Sequence, residues 1–82
     1  MKTTQFHAKN QFLLYYDDGI YFQSYNSIIA LKPHSGKIQL DEYYWNYSKI
    51  TGKYRNLFLG EDRKETERKI KAGIYVLTNL NK

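Results

Sequence analysis

The sequence predicts an α+β fold: a mainly antiparallel β-sheet, made of a four-strand meander plus a C-terminal strand, with two short helices. Three observations support this: a hairpin signal near the front, alternating β-prone runs up to residue 40, and two capped helical segments between residues 49 and 72. A chain of 82 residues has room for a single domain, 1–82, in which we expect residues 1–8 and 80–82 to be frayed.

The hairpin is predicted by two β-prone runs, Phe12–Tyr16 and Ile20–Tyr25, separated by acidic residues and a glycine. Asp-Gly is a strong turn signal because both residues tolerate positive φ. With Asp18-Gly19 as a two-residue loop, Tyr16 would face Tyr21. Both faces of this hairpin are largely apolar, so we expect each to be at least partly covered.

The following segments continue the meander. Ser27–Lys32 is a separate strand or the far side of a bulge, and Pro33–Gly36 fits a type I turn. Lys37–Leu40 then pairs back, and Ile74–Thr78 is the predicted last strand.

The segment from Asp41 to Gly60 allows two interpretations. Its aromatic residues alternate, as in a strand or extended connection, but they also fit the stripe of one long helix. Gly52 disfavours the long helix by about 1 kcal/mol relative to alanine. We therefore prefer a break near Ser48.

The first helix is then predicted over Lys49–Leu59, with Gly60 as its left-handed cap. Four apolar side chains would be buried: Ile50, Tyr54, Leu57 and Phe58.

The second helix is predicted to begin at Asp62, whose spacing from Glu65 is that of a capping box, and to end at Ala72 before Gly73. It has few apolar residues, so we expect it to be mostly solvated.

Positive charge is concentrated in the second half of the chain. The net charge is +5, yet residues 1–48 carry four bases and four acids, whereas residues 49–82 carry nine bases and four acids. This indicates a cationic helical layer that would attract a polyanion or an acidic protein surface. The alternative is that these bases only solvate a helix.

Aromatic side chains precede this basic region, and cations beside exposed aromatics are typical of single-strand binding and of protein–protein hot spots. The same aromatics could instead form the core of a domain that has few aliphatic residues. The candidate residues for binding a partner or nucleic acid are Tyr44, Trp45, Lys49, Lys53, Arg55, Arg63, Lys64, Arg68, Lys69 and Lys71.

No motif predicts catalysis, a metal or a cofactor. The chain has no cysteine, and His7 and His34 lack metal-ligand spacing. Gly52-Lys53 fails as a phosphate loop because no serine or threonine follows the lysine. We therefore expect a non-enzymatic protein. Without an apolar run of membrane length or a signal peptide, we expect it in the cytoplasm.

Several stretches resemble small accessory proteins carried by phages and integrative elements of Gram-positive bacteria. They are Tyr25–Ala30, Leu40–Ser48, Thr51–Glu61, Lys64–Thr66 and Lys69–Gly73, so the resemblance covers roughly residues 20–80. It implies an accessory protein made by a mobile element inside a bacterial host cell. Such proteins often inhibit host defence systems, including CRISPR effectors, or bind DNA.

Two functions remain as expectations. The first is a stoichiometric, anti-CRISPR-like inhibitor of a host nucleic-acid-handling or defence protein. The second is a small basic DNA- or RNA-binding protein that uses the helices at 49–59 and 62–72. A structural or oligomerising element is the third alternative.

Overall fold

A computed structural model describes residues 2–81 and shows one sheet with two helices, which confirms the predicted α+β fold. The elements in chain order are β1 (Lys2–Phe6), β2 (Ala8–Tyr16), β3 (Gly19–Ser24), β4 (Ser27–Pro33), β5 (Gln39–Asp41), α1 (Lys49–Leu59), α2 (Arg63–Lys71) and β6 (Val76–Thr78). The spatial strand order equals the chain order, and neighbours are antiparallel except for the parallel pair β5–β6. The helices therefore lie in the crossover between the last two strands.

The described residues near each end of the chain, where the sequence led us to expect fraying, make defined contacts with the rest of the domain. β1 pairs with β2, and the Phe6 ring packs edge-on against Phe22 and Phe58, with centroids 5.8 and 6.3 Å apart. At the other end, Asn81 accepts from the backbone N–H of Ile28 and donates to its carbonyl. One apolar anchor and one paired amide thus hold the two ends.

The predicted hairpin is present, but its loop and register differ from the expectation. The turn residues are Asp17 and Asp18, so Tyr16 pairs with Gly19 and Tyr21 pairs with Leu14. The register moves by two residues, which keeps every side chain on its expected face. The observed register is explained by the close approach of β4 to Gly19. A Cβ at this position would lie 2.3 Å from the carbonyl oxygen of Lys32. Gly19 is needed inside the sheet and not in the turn.

A β-bulge in β4 supplies the core with an extra side chain. Phe22 pairs with Ala30 and Gln23 with Ile28, so Ile29 stands opposite no residue of β3. Both Ile29 and Ala30 are buried in the main apolar cluster. The remaining members of that cluster are Phe22, Leu40, Phe58 and Tyr75.

The bounds of α1 and its left-handed cap at Gly60 (φ 72°) confirm the prediction. Of the four apolar side chains predicted to be buried, Phe58 is buried and Tyr54 is half-buried against the core. Ile50 and Leu57 are exposed, and the buried side chains are Thr51, Arg55 and Phe58. The spacing of these three residues places them on one face of the helix. Polar contacts to the sheet and to the preceding loop, described below, turn this face inward.

We expect Gly19→Ala to destabilise the protein by about 3 kcal/mol, because the added methyl group meets backbone atoms that cannot rotate away. Gly36→Ala is the matched control: its φ of 93° is also positive, but nothing lies within 4 Å of the added carbon. That variant should lose only about 1 kcal/mol. Urea unfolding measures both, and equal losses would contradict the steric explanation.

Candidate functional site

The buried carboxylate of Asp41 shapes the loop that connects β5 to α1. Its Oδ2 accepts from the backbone N–H groups of Tyr43 (3.1 Å) and Tyr44 (2.8 Å), and its Oδ1 accepts from that of Leu80 (2.8 Å). The Asp41 carbonyl also accepts from the N–H of Trp45 at 3.0 Å. Residues 42–48 are consequently a fixed series of turns, and neither a strand nor part of α1.

This loop carries three tyrosines in mutual contact, which we call the tyrosine cluster: Tyr43, Tyr44 and Tyr47. Ring centroids are 4.7 Å apart for Tyr43–Tyr44, 5.2 Å for Tyr44–Tyr47 and 6.2 Å for Tyr43–Tyr47. Tyr43 is 70% exposed and Tyr47 62%, whereas Tyr44 is half-buried. Trp45 is also half-buried and packs against the core. In this loop the exposed aromatics are therefore Tyr43 and Tyr47, whereas the candidate binding residues Tyr44 and Trp45 are half-buried.

Arg55 is the largest fully buried side chain in the described part of the protein, with 1% exposure. Its Nη1 donates to the Trp45 carbonyl (2.7 Å) and to Asn46 Oδ1 (3.2 Å), and its Nη2 donates to Asn56 Oδ1 (2.9 Å). The guanidinium carbon also lies 5.3 Å from the centre of the Trp45 ring. These contacts hold the candidate binding residue Arg55 under the loop, so its charge lies below the surface and its side chain is not exposed.

The charge of Arg55 has no acidic partner. Within residues 2–81, no ion pair includes Arg55, and its Nε is buried without a hydrogen-bond partner. Burial lowers the pKa of Arg55 below its ordinary value, and the nearby charge of Arg63 lowers it further against the opposing effect of Glu61. An arginine nevertheless stays protonated in a protein, so a positive charge without a direct acidic partner lies beneath this surface.

Above Arg55 lies an open cavity of about 500 Å³, which we call the basic groove. It runs from the start of α1 to the start of α2. Its lining residues are Asn46, Ser48, Lys49, Gly52, Lys53, Arg55, Asn56 and Arg63. Four of these eight residues are cations and none is acidic, so the groove is built to attract an anion.

The N-terminus of α1 adds to this polarity. Ser48 caps the helix by accepting from the N–H of Thr51 at 3.2 Å, and the first turn contains no acidic residue. The positive end of the helix dipole therefore stays uncompensated at the groove wall. Thr51 itself fixes the helix on the sheet, because its Oγ1 is hydrogen-bonded to Ser24 Oγ at 3.1 Å.

Glu61 fixes α2, and with it Arg63, relative to the rest of the domain. Its carboxylate accepts from Lys69 Nζ (2.7 Å), Thr66 Oγ1 (2.7 Å) and the Tyr75 hydroxyl (2.9 Å). Burial alone would raise the pKa of Glu61, but these hydrogen bonds and the charge of Lys69 outweigh it and lower the pKa. The carboxylate thus ties α2 to the start of the last strand.

The predicted cations of α2 do not act as one surface. Arg68 forms a two-bond pair with Glu65, with both contacts at 2.8 Å, and Lys69 is held by Glu61. The capping of α2 by Asp62, which accepts from the N–H of Glu65 at 2.9 Å, confirms the predicted helix start. Lys64 and Lys71 are exposed but do not line the groove. Of the ten predicted residues, the groove contains four: Lys49, Lys53, Arg55 and Arg63.

Sequence reasoning missed Asn46, Ser48 and Asn56, which complete the groove with neutral polar groups. Asn46 and Asn56 line it because the side-chain oxygen of each accepts a hydrogen bond from Arg55. No pattern in the sequence indicates this, since the pairing depends on how the loop folds over the helix.

Two further properties concern residues 2–81. No three His, Asp or Glu side chains there come together in a way that could hold a metal ion. No helix in that part of the chain is long and apolar enough to cross a membrane.

Residues 1–73 match DUF8033, a family of unknown function, and the chain belongs to that family. Comparisons with curated proteins and with solved structures gave no significant match. The family description names no activity, so the function has to be argued from the groove and the tyrosine cluster.

We expect Asp41→Asn to destabilise the protein by about 2–3 kcal/mol, because an amide has one acceptor oxygen where the carboxylate serves three backbone N–H groups. The exposed turn residue Asp17 provides the control, and Asp17→Asn should change the free energy of unfolding by less than about 0.5 kcal/mol. Urea unfolding of the two variants decides the point, and a similar stability for both would contradict the anchoring role of Asp41.

We expect Glu61 to contribute to the acid sensitivity of the fold. Folding lowers the pKa of Glu61. Its contribution to the free energy of unfolding is therefore complete above its pKa in the unfolded state, and it is lost as the pH falls through its pKa in the folded state. The urea concentration at the midpoint of unfolding should therefore decrease as the pH is lowered below about 5. Glu61→Gln should be less stable at pH 7 and show a flatter profile between pH 3 and 5. An unchanged slope would mean that other carboxylates control the acid transition.

Proposed function

We propose that this protein is a non-enzymatic, nucleic-acid-binding accessory protein that holds a single strand between its basic groove and its tyrosine cluster. The observation that supports this most strongly is the adjacency of the two features. Ser48 lines the basic groove and also lines a small cavity of about 150 Å³ beneath Tyr44 and Tyr47. A phosphate in the groove would leave the neighbouring base close to exposed aromatic rings.

Single-strand binding needs both kinds of group. Cations attract the backbone with a strong salt dependence, and each base that stacks on an aromatic side chain contributes about 1–3 kcal/mol. Lys49, Lys53 and Arg63 supply the cations here, and Tyr43 and Tyr47 supply the exposed rings. We place this activity inside a bacterial host cell, in line with the mobile-element resemblance.

We expect a dye-labelled single strand of about twenty thymidines to bind with an affinity that falls steeply as salt rises. Three phosphate contacts would give a slope of about −2 in a plot of log affinity against log salt. The double variant Lys49→Gln/Lys53→Gln should weaken binding about tenfold or more and reduce the slope. Lys64→Gln/Lys71→Gln removes the same charge outside the groove and serves as the control.

The aromatic part of the proposal is tested in the same assay. Tyr43→Leu/Tyr47→Leu should weaken binding to the single strand about tenfold, because stacking is lost while the charge is kept. Tyr16→Leu changes an exposed tyrosine on the β2–β3 hairpin and should have no effect. Absence of binding to single and double strands at low salt would remove the proposed function.

A host protein is the second candidate partner, which would make this chain the inhibitor of a nucleic-acid-handling or defence protein. The specific observation in its favour is the exposure of Tyr43 and Tyr47, since tyrosine is enriched at protein–protein hot spots. A pull-down from host lysate would then return one stoichiometric partner. The Tyr43→Leu/Tyr47→Leu variant should lose that partner, whereas Tyr16→Leu should retain it.

A further inference from the structure

The buried guanidinium of Arg55 lacks a counter-ion, and this is the feature of the basic groove that most calls for a ligand. Its hydrogen-bond acceptors are a backbone carbonyl oxygen and two side-chain amide oxygens, all of them neutral. Its Nε has no partner at all. A buried charge is ordinarily paired, because leaving it uncompensated in a low dielectric is costly.

The groove above it presents donors and no negative charge. Asn46 and Asn56 turn their side-chain oxygens to Arg55, and within the described chain neither Nδ2 group donates a hydrogen bond. The exposed cations Lys49, Lys53 and Arg63 complete the lining, and Arg63 also forms a long, solvent-exposed ion pair with Glu67 at 3.8 Å. An anion in this position would accept hydrogen bonds from residues of the loop, of α1 and of the start of α2.

The anion that fits best is a phosphomonoester. It has three terminal oxygens and about −1.5 to −2 charges near neutral pH, whereas an internal phosphodiester has two free oxygens and a single charge. Several converging donors and four cations match the more highly charged group. Ser48 lines both this groove and the small cavity that Tyr44 and Tyr47 also line, so the rest of a strand would continue next to the tyrosine cluster.

We propose that the basic groove binds the terminal phosphate of a nucleic-acid strand and so directs the protein to strand ends. This inference rests on the proposed single-strand binding and specifies which phosphate enters the groove. Arg55 supplies a fixed charge beneath the site, and the exposed cations with the two asparagines contact the phosphate oxygens.

The test compares strands of ten thymidines that carry a 5′-phosphate, a 3′-phosphate or no phosphate. We expect one of the phosphorylated strands to bind at least tenfold more tightly than the unphosphorylated strand. Arg63→Gln, at an exposed position, should reduce this preference to less than threefold. Lys71→Gln removes one exposed charge from the same helix outside the groove and should keep the preference.

Equal binding of all three strands would overturn the terminal-phosphate inference and leave the proposed function intact. Failure of every strand to bind would overturn the proposed function and, with it, the inference that rests on it. A titration with pyrophosphate, followed by the backbone amide signals of Asn46, Gly52 and Asn56, tests the groove independently of any strand. Saturable shifts at these amides that disappear in Arg63→Gln support the anion site, and unchanged signals at millimolar pyrophosphate refute it.

Discussion

The arrangement of the loop that carries the tyrosine cluster depends on the buried carboxylate of Asp41. A buried charge is tolerable only when it is well hydrogen-bonded, and here three backbone N–H groups satisfy it. Those groups come from two distant parts of the chain, the loop after β5 and the segment after β6. One side chain therefore holds together the end of the sheet, the tyrosine cluster and the C-terminal segment.

The loop that Asp41 shapes is in turn the cover of Arg55. The Trp45 carbonyl and Asn46 Oδ1 both belong to that loop, and both accept from the guanidinium. The two buried charges are thus arranged in opposite ways: backbone donors surround the anion, while neutral oxygens only partly satisfy the cation. The groove above Arg55 is lined by three further cations and by no acidic residue, so this part of the surface is positively charged.

Much of the fold was predictable because its signals are local. Asp62 and Gly60 mark helix ends through contacts within one turn, and the cations of the groove could be read from composition. Features that depend on distant contacts were not predictable. On the buried face of α1, Thr51 and Arg55 are held by Ser24 and by the loop, which apolar spacing does not indicate. The hairpin register depends on the close approach of Gly19 to β4. Asn46 and Asn56 line the groove because they accept hydrogen bonds from Arg55, and no local pattern in the sequence indicates these contacts.

The parallel pairing of β5 with β6 has a consequence for how the molecule is assembled. Strands β1 to β5 follow one another in space as they do in the chain, so each strand pairing closes only a short segment of the chain. β6 can join only after the chain between Asp41 and Val76, including both helices, has been brought back to β5. Closing that long segment carries a larger entropic cost and favours late docking. The part of the chain that carries both helices would then be the last to acquire its shape during synthesis, after the meander is already in place.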